Sequence, residues 1–280
     1  MSYKNQSEID LAKILRAVVK YKKSFLAVVV LFVASSAAVS FVIPKKYKSE
    51  ITLSLASPAF ENASKKNFSG IASLVGIGGI AQSDSSTIYM AKLKSRFIKQ
   101  QFIESNSLLP LLYSDNWDKS EKSWISDSVP KMWEAVRFFD KEVLNIRTDK
   151  ETGLVSLSIT WYDAEIAKQW ADAFVVLANA TLKKEFDEKK GKNLEFLKEQ
   201  LTNTSNVAVR NSLNSLIEEE LKKAMLSHGS DEFAFNTIDP AVIPSKPFYP
   251  KKVIFILIGL ILGIIVGAGL ALYVDKRVAQ

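Results

Sequence analysis

The side chains that could do chemistry in this chain are few and scattered. Its one histidine, His228, sits in the polar stretch SHGSDE (residues 227–232), and there is no cysteine. A lone imidazole with no second histidine or thiolate at ligand spacing does not make a zinc site. Thiol catalysis is excluded outright. Carboxylates cluster as Asp187-Glu188 and Glu218-Glu219-Glu220. Both runs lie among lysines on stretches of helical period, so solvated faces account for them better than the acid pair of a glycosidase. The segment GIASLVGIGGIA (residues 70–81) is apolar and glycine-rich. A phosphate-cradling loop needs a lysine and a hydroxyl after its last glycine, or a third glycine at dinucleotide-fingerprint spacing. Gly76, Gly78 and Gly79 meet neither requirement, which leaves a buried loop, the favoured reading, or an apolar patch facing a partner. Trp117 and Trp124 could stack on sugar rings, but ordinary packing explains such a pair more simply. No nucleophile elbow occurs. The residues point away from an enzyme and call for no metal and no cofactor.

The elements that organise the chain are apolar instead. Val253–Val274 contains no charged residue, and at ~1.5 Å per helical residue it is long enough for a hydrocarbon core ~30 Å thick. Within it, Gly259, Gly263 and Gly267 recur every fourth residue and line one face. Small residues at that spacing let a second helix approach backbone to backbone, although glycine is also simply common in membrane helices. Ser24–Ile43 is the second uncharged span, with Ala34 and Ala38 among its small residues. Ser36-Ala37-Ala38 resembles a signal-peptidase site, but the long preceding tail and the length of the apolar run favour an uncleaved span.

The predicted layout is a tail (1–23), a first span (24–43), a large domain (44–252), a second span (253–274) and a short tail (275–280). The net charge of +7 sits mostly at the ends. The first tail holds six basic residues against two acidic, and the last holds two against one. Short basic tails belong on the cytoplasmic side, so both termini are expected inside and the domain outside. A basic excess that flanks membrane spans is not a nucleic-acid footprint. Residues 7–23 read as an amphipathic helix lying on the inner leaflet.

The middle domain reads as α/β (α+β): a mixed sheet with long helices. Residues 47–57 alternate in hydrophobicity and predict a strand. Residues 84–104 predict a helix, and residues 110–128 are irregular. Pro130 is expected in the first turn of a short helix. Residues 142–148 and 154–161 predict a hairpin, with Gly153 closing the turn. A long helical region spans about 163–226, opened by Asp163 and interrupted at 202–206. Its narrow seam of Leu194, Leu197, Leu201, Leu213, Leu216 and Ile217 suits packing against a neighbouring helix. A strand at 233–238 is expected to pair with residues 48–56. Pro240, Pro244, Pro247 and Pro250 then stiffen an extended lead-in to the second span (239–250), since each fixes φ and none donates a backbone hydrogen bond.

Several stretches together resemble the Wzz-type polysaccharide chain-length determinants, the bacterial polysaccharide co-polymerases. They are DLAKILRAVVKYKKSF before the first span, IPKKYKSEITLSLA after it, GIASLVGIGGIA, AKLKSRFIKQQFIE, and the strand-then-helix GLVSLSITWYDAEIAKQWADAFV. The last and most specific is DPAVIPSKPFYPKK ahead of a glycine-spaced span. The resemblance implies an inner-membrane protein with a periplasmic α/β base and a long helix pointing away from the membrane. It also implies a ring-like homo-oligomer that sets the length of an O-antigen-like lipopolysaccharide made by a Wzy-type polymerase, in contact with that polymerase and with the growing polysaccharide, without catalysis. The other function compatible with this layout is a structural accessory of an envelope polysaccharide export complex.

Overall fold

The structure, a computed structural model, describes residues 11–56, 85–125, 129–227 and 232–278. The loop expected at 70–81, His228 and the first residues of the amphipathic tail lie outside the described residues. The chain divides into two compact units, one of residues up to 46 and from 246 onward, the other of residues 47–245.

The first unit is helical. Helices α1 (Leu11–Lys20) and α2 (Lys22–Val42) are separated by Tyr21 alone. α2 and the last helix of the chain (Lys252–Val278) are both long and apolar enough to cross a membrane. Only 11% and 17% of their apolar windows are buried. A core helix of a soluble domain would be covered by protein. These two pack against each other along one face and leave the other faces apolar and open, as a helix solvated by lipid does. The proline segment that precedes the last helix forms no helix or strand, and an isolated bridge joins Lys46 to Tyr249.

The second unit is built on a four-stranded antiparallel sheet. β1 (Tyr47–Leu55) is flanked by β5 (Val155–Trp161) and β6 (Phe235–Asp239), and β4 (Leu144–Thr148) forms the far edge, giving the order β4-β5-β1-β6. The expected pairing of the domain's first and last strands is present, with Leu53 opposite Thr237 and Leu55 opposite Phe235. The expected hairpin is present too, with Leu144 opposite Ile159. Its turn needs the left-handed backbone that Gly153 supplies at φ 71°. Asp149 shapes the same turn, its Oδ1 accepting from the amides of Glu151 and Thr152. Both amide hydrogen bonds, Thr152 first, hold its carboxyl below the usual carboxylate range.

Ile51, Leu53, Val155, Leu157 and Ile159 are buried between the sheet and the helices that cover it. The main cover is a long helix (Ala164–Asn203) whose Ala167, Ala171, Phe174 and Ala178 are fully or almost fully buried. The small residues bring its backbone close to the sheet, and Phe174 reaches into an aromatic cluster with Phe102 and Phe139 at centroid separations of 5.2 and 6.1 Å. Edge-to-face and offset contacts of this kind add to the area they bury.

Three local expectations need correction. The helix expected over 84–104 is two helices, α3 (Ser85–Leu93) and α4 (Arg96–Ser105), because Ser95 turns extended and its hydroxyl accepts from the Ile98 amide to start the second. In the irregular stretch a short helix, α5 (Leu109–Leu112), precedes the two-residue strands β2 (Trp117–Asp118) and β3 (Ser123–Trp124). Pro130 precedes the cap of α6 (Met132–Phe138) and does not occupy its first turn. Lys131 is the capping residue, and Glu134 accepts from its amide at 3.2 Å. α6 then widens into a π-helical turn (Phe139–Val143) before β4, which the helical period does not reveal. We label the long helix α7, the helix after it (Val207–Ser227) α8, and the last helix α9.

Candidate functional site

Among the described residues no group of histidines and carboxylates could hold a metal ion. The two tryptophans that could have offered a sugar platform face each other across β2 and β3. Their centroids are 4.9 Å apart, edge to face, so the two rings pack on each other while both stay half-buried. The candidate site consists of two packing surfaces, one in each unit.

In the membrane-type unit the glycines of α9 lie against α2 at backbone distance. A Cβ built on Gly259 would stand 2.7 Å from Ser36 Cβ and 2.9 Å from the Phe32 carbonyl oxygen. On Gly263 it would stand 2.9 Å from Val29 Cα, and on Gly267 2.9 Å from the Phe25 ring. Gly269, off this line, has open space around it. The opposing face is not the one expected. Ala34 and Ala38 are exposed, and Phe25, Val29, Phe32 and Ser36 take the place opposite the glycines. The Ser36 hydroxyl donates to the Phe255 carbonyl, a polar tie between two otherwise apolar helices. Beyond the apolar stretches, Lys20 on α1 donates to Asp275 on α9 at 2.7 Å. The sequence pattern of small residues pointed to the glycines. It could not choose among the faces of α2, because small residues occur on more than one of them.

In the second unit α7 and α8 form a helical arm. Thr204, Ser205 and Asn206 separate them, inside the expected break at 202–206. Asp163 starts α7 by accepting from the amides of Glu165 and Ile166, and Asn206 starts α8 by accepting from those of Ala208 and Val209. Leu194, Leu197, Leu201, Leu213 and Ile217 are half-buried along the arm, whereas Leu216 is 47% exposed. Lys190 on α7 and Glu220 on α8 form an ion pair with only 16% and 17% of their side chains exposed. Partial burial makes such a pair count for more than an open surface bridge.

Two residues that the sequence pattern passed over hold this unit in register. Asn179 is 3% exposed. Its Nδ2 donates to the Phe235 carbonyl, and its Oδ1 accepts from the amides of Ala234 and Phe235, all at 2.9 Å. One amide on the long helix thus substitutes for a neighbouring strand along the start of β6. Lys99 on α4 is buried to 5% exposure and donates to Asp140 in the π-helical turn. The only sequence signal for either was a polar residue at a position where the helical period called for an apolar one. Of the four prolines, Pro247 and Pro250 flank the backbone bridge in which Phe248 donates to the Lys46 carbonyl at 2.8 Å and Tyr249 accepts from the Lys46 amide at 2.9 Å. Pro240 and Pro244 precede it in the second unit, where the Ser49 hydroxyl donates to Val242 at 2.7 Å.

Comparisons with known proteins place this geometry in context. The family model described as Wzz, chain length determinant protein, matches residues 7–105. No curated protein matches the chain. Among solved structures, a full-length bacterial polysaccharide co-polymerase aligns over 98% of this chain and 99% of its own, at 16% identity and a TM-score of 0.44. A fragment of WzzB, a polysaccharide co-polymerase from Salmonella Typhimurium, aligns over 74% of this chain and 100% of its own, at 14% identity and a TM-score of 0.34. A point mutant of the Shigella flexneri lipopolysaccharide O-antigen chain-length regulator covers 72% of this chain and 100% of its own, at 14% identity and a TM-score of 0.24. Superpositions this loose carry no argument about activity or assembly. Over residues 7–105 this chain carries the pattern of the Wzz chain length determinant proteins, the family that its sequence resembles.

Proposed function

We propose that this protein is a non-enzymatic regulator of the chain length of a surface polysaccharide, an O-antigen-like lipopolysaccharide extended by a Wzy-type polymerase. It acts as a homo-oligomeric scaffold anchored in the bacterial inner membrane by α2 and α9, with both termini in the cytoplasm and residues 44–252 in the periplasm. The observation that carries this reading is the match of residues 7–105 to the chain length determinant model. Two further features support it. The apolar helices at the two ends of the chain are of membrane-spanning length, and the interior of the second unit is filled by packed side chains. In this reading the helical arm and the glycine face of α9 are the surfaces through which copies and the polymerase are arranged, and the polysaccharide is contacted without being cut or joined.

The test is deletion of the gene followed by a silver-stained gel of the cell's surface polysaccharide. The expected result is loss of the clustered length distribution and its replacement by a steadily decaying ladder. A cluster kept at its original length, with less total glycan at the surface, would overturn the proposal and support an accessory role in export instead.

A further inference from the structure

At one end of the α2–α9 pair the chain gathers cations, and the carboxylate side chain among the described residues of this unit, Asp275, is paired with Lys20 instead. The bridge between Lys46 and Tyr249 brings the end of α2 and the start of α9 together. Lys45, Lys246, Lys251 and Lys252 all lie within three residues of that bridge along the chain. No aspartate or glutamate occurs between Asp10 and Glu50, or between Asp239 and Asp275. Two of the ammonium groups rest on aromatic rings: Lys252 Nζ is 4.4 Å from the centroid of Phe41, and Lys251 Nζ is 5.2 Å from that of Phe248. A ring steadies a cation without neutralising it, so the charge stays available to an anion while the side chains are held in place. Directly beside the lysines the helix surfaces are apolar and open, with Phe41 73%, Val42 84% and Val253 68% exposed. A free phosphate would use the lysines and leave this surface bare. A phosphate carried on hydrocarbon chains satisfies both.

We propose that this end of the helix pair binds the phosphate headgroup of an anionic lipid, whose chains lie along Phe41, Val42 and Val253. The proposal rests on the reading that α2 and α9 span a membrane. It adds a headgroup preference on the side away from the termini, where the rule that places basic residues in the cytoplasm gives no reason for four lysines.

The experiment uses the full chain in nanodiscs of phosphatidylcholine, with and without phosphatidylglycerol, and counts the lipids that stay bound in native mass spectrometry. The unmodified chain should retain phosphatidylglycerol in preference to phosphatidylcholine. The variant Lys45→Gln/Lys246→Gln/Lys251→Gln/Lys252→Gln should lose that preference by about fivefold per lysine removed. The matching four-arginine variant should keep it, which separates charge from folding. The basic residues of α1 are unchanged in all three, so their contribution cancels. Equal retention by the unmodified and glutamine chains would overturn the proposal, and so would displacement of the lipid by inorganic pyrophosphate, which would mark a site for free phosphate. Failure of every version to enter nanodiscs would overturn the membrane-spanning reading, and this site with it.

Discussion

The backbone contact between α2 and α9 at Gly263 can be tested with a single methyl group. Gly263→Ala places a Cβ 2.9 Å from Val29 Cα, and the atom it meets is backbone, so no side chain can swing aside. Ordinary carbon contacts lie near 3.5–4.0 Å. The helices must therefore move apart by roughly 0.5–1 Å, which loosens the packing at Gly259 and Gly267 as well. Overpacking of this kind costs about 1–3 kcal/mol, or roughly five- to 150-fold in the balance between paired and separated helices. Alanine also gains helix propensity over glycine, up to about 1 kcal/mol, which opposes the loss. Gly269→Ala carries the same propensity gain and meets nothing within 4 Å, so the difference between the two variants isolates the close approach. The assay exploits the absence of cysteine from the chain. A Lys20→Cys/Asp275→Cys pair, replacing side chains now joined at 2.7 Å, is bridged with a short bismaleimide, and thermal unfolding is followed in detergent. Gly263→Ala should lower both the cross-linked fraction and the unfolding midpoint, and Gly269→Ala should lower neither. Equal behaviour of the two would refute the claim that backbone contact at Gly263 holds the pair.

Other outcomes follow from the second unit. Asn179→Ala orphans two buried amides and a carbonyl at the start of β6, each worth about 1–3 kcal/mol; denaturant unfolding should show a loss of several kcal/mol, and an unchanged midpoint would mean that water or a neighbour replaces the amide. Glu50 is held below its ordinary value near 4.5, first by the hydrogen bond from Lys48 and then by that from Ser156. A carboxyl lowered in the folded state contributes stability above its unfolded value and loses it as the pH falls through the folded value, so below about pH 4.5 the unmodified chain should lose more stability than Glu50→Gln does. Lys190→Ala removes one partner of a largely buried pair between α7 and α8, and limited proteolysis should then cut faster at 204–206. An unchanged cleavage rate would mean that the apolar seam alone holds the arm closed.

Much of this architecture was legible in the sequence because it rests on period and length. Twenty uncharged residues at one end and 22 at the other set the two apolar helices, alternation set β1 and β6, and two strand-like runs on either side of a glycine turn set β4 and β5. Asp163, Gly153 and the polar stretch before Val207 marked ends because each does a backbone job that few residues do. What escaped notice depends on partners far away in the chain. The break at Ser95 needs only one hydroxyl and leaves the apolar period intact across it. The π-helical turn adds a residue without changing composition. Asn179 carries no local mark of its role, since its partners are 55 and 56 residues away. Leu216 shares the period of the seam and still faces outward, because a heptad-like pattern gives spacing but not the rotation of α8 against α7.

The position of β1 has a consequence for how the chain is made. β1 is an inner strand, yet the partner on one of its sides, β6, is the last strand of the sheet to be synthesised. The Ser49–Val242 hydrogen bond on that side joins residues 193 apart, so closing it waits on nearly the whole domain and carries a large loop entropy. During that interval β1 can pair with β5 but presents its other edge bare, and an open strand edge is a template for any chain nearby. When several copies emerge close together, the β6 of one copy can fill the edge of another and exchange strands between them. Asn179, already in place on α7, offers the arriving strand two acceptor contacts and one donor contact within its own chain, and so biases the late closure toward the copy that began it.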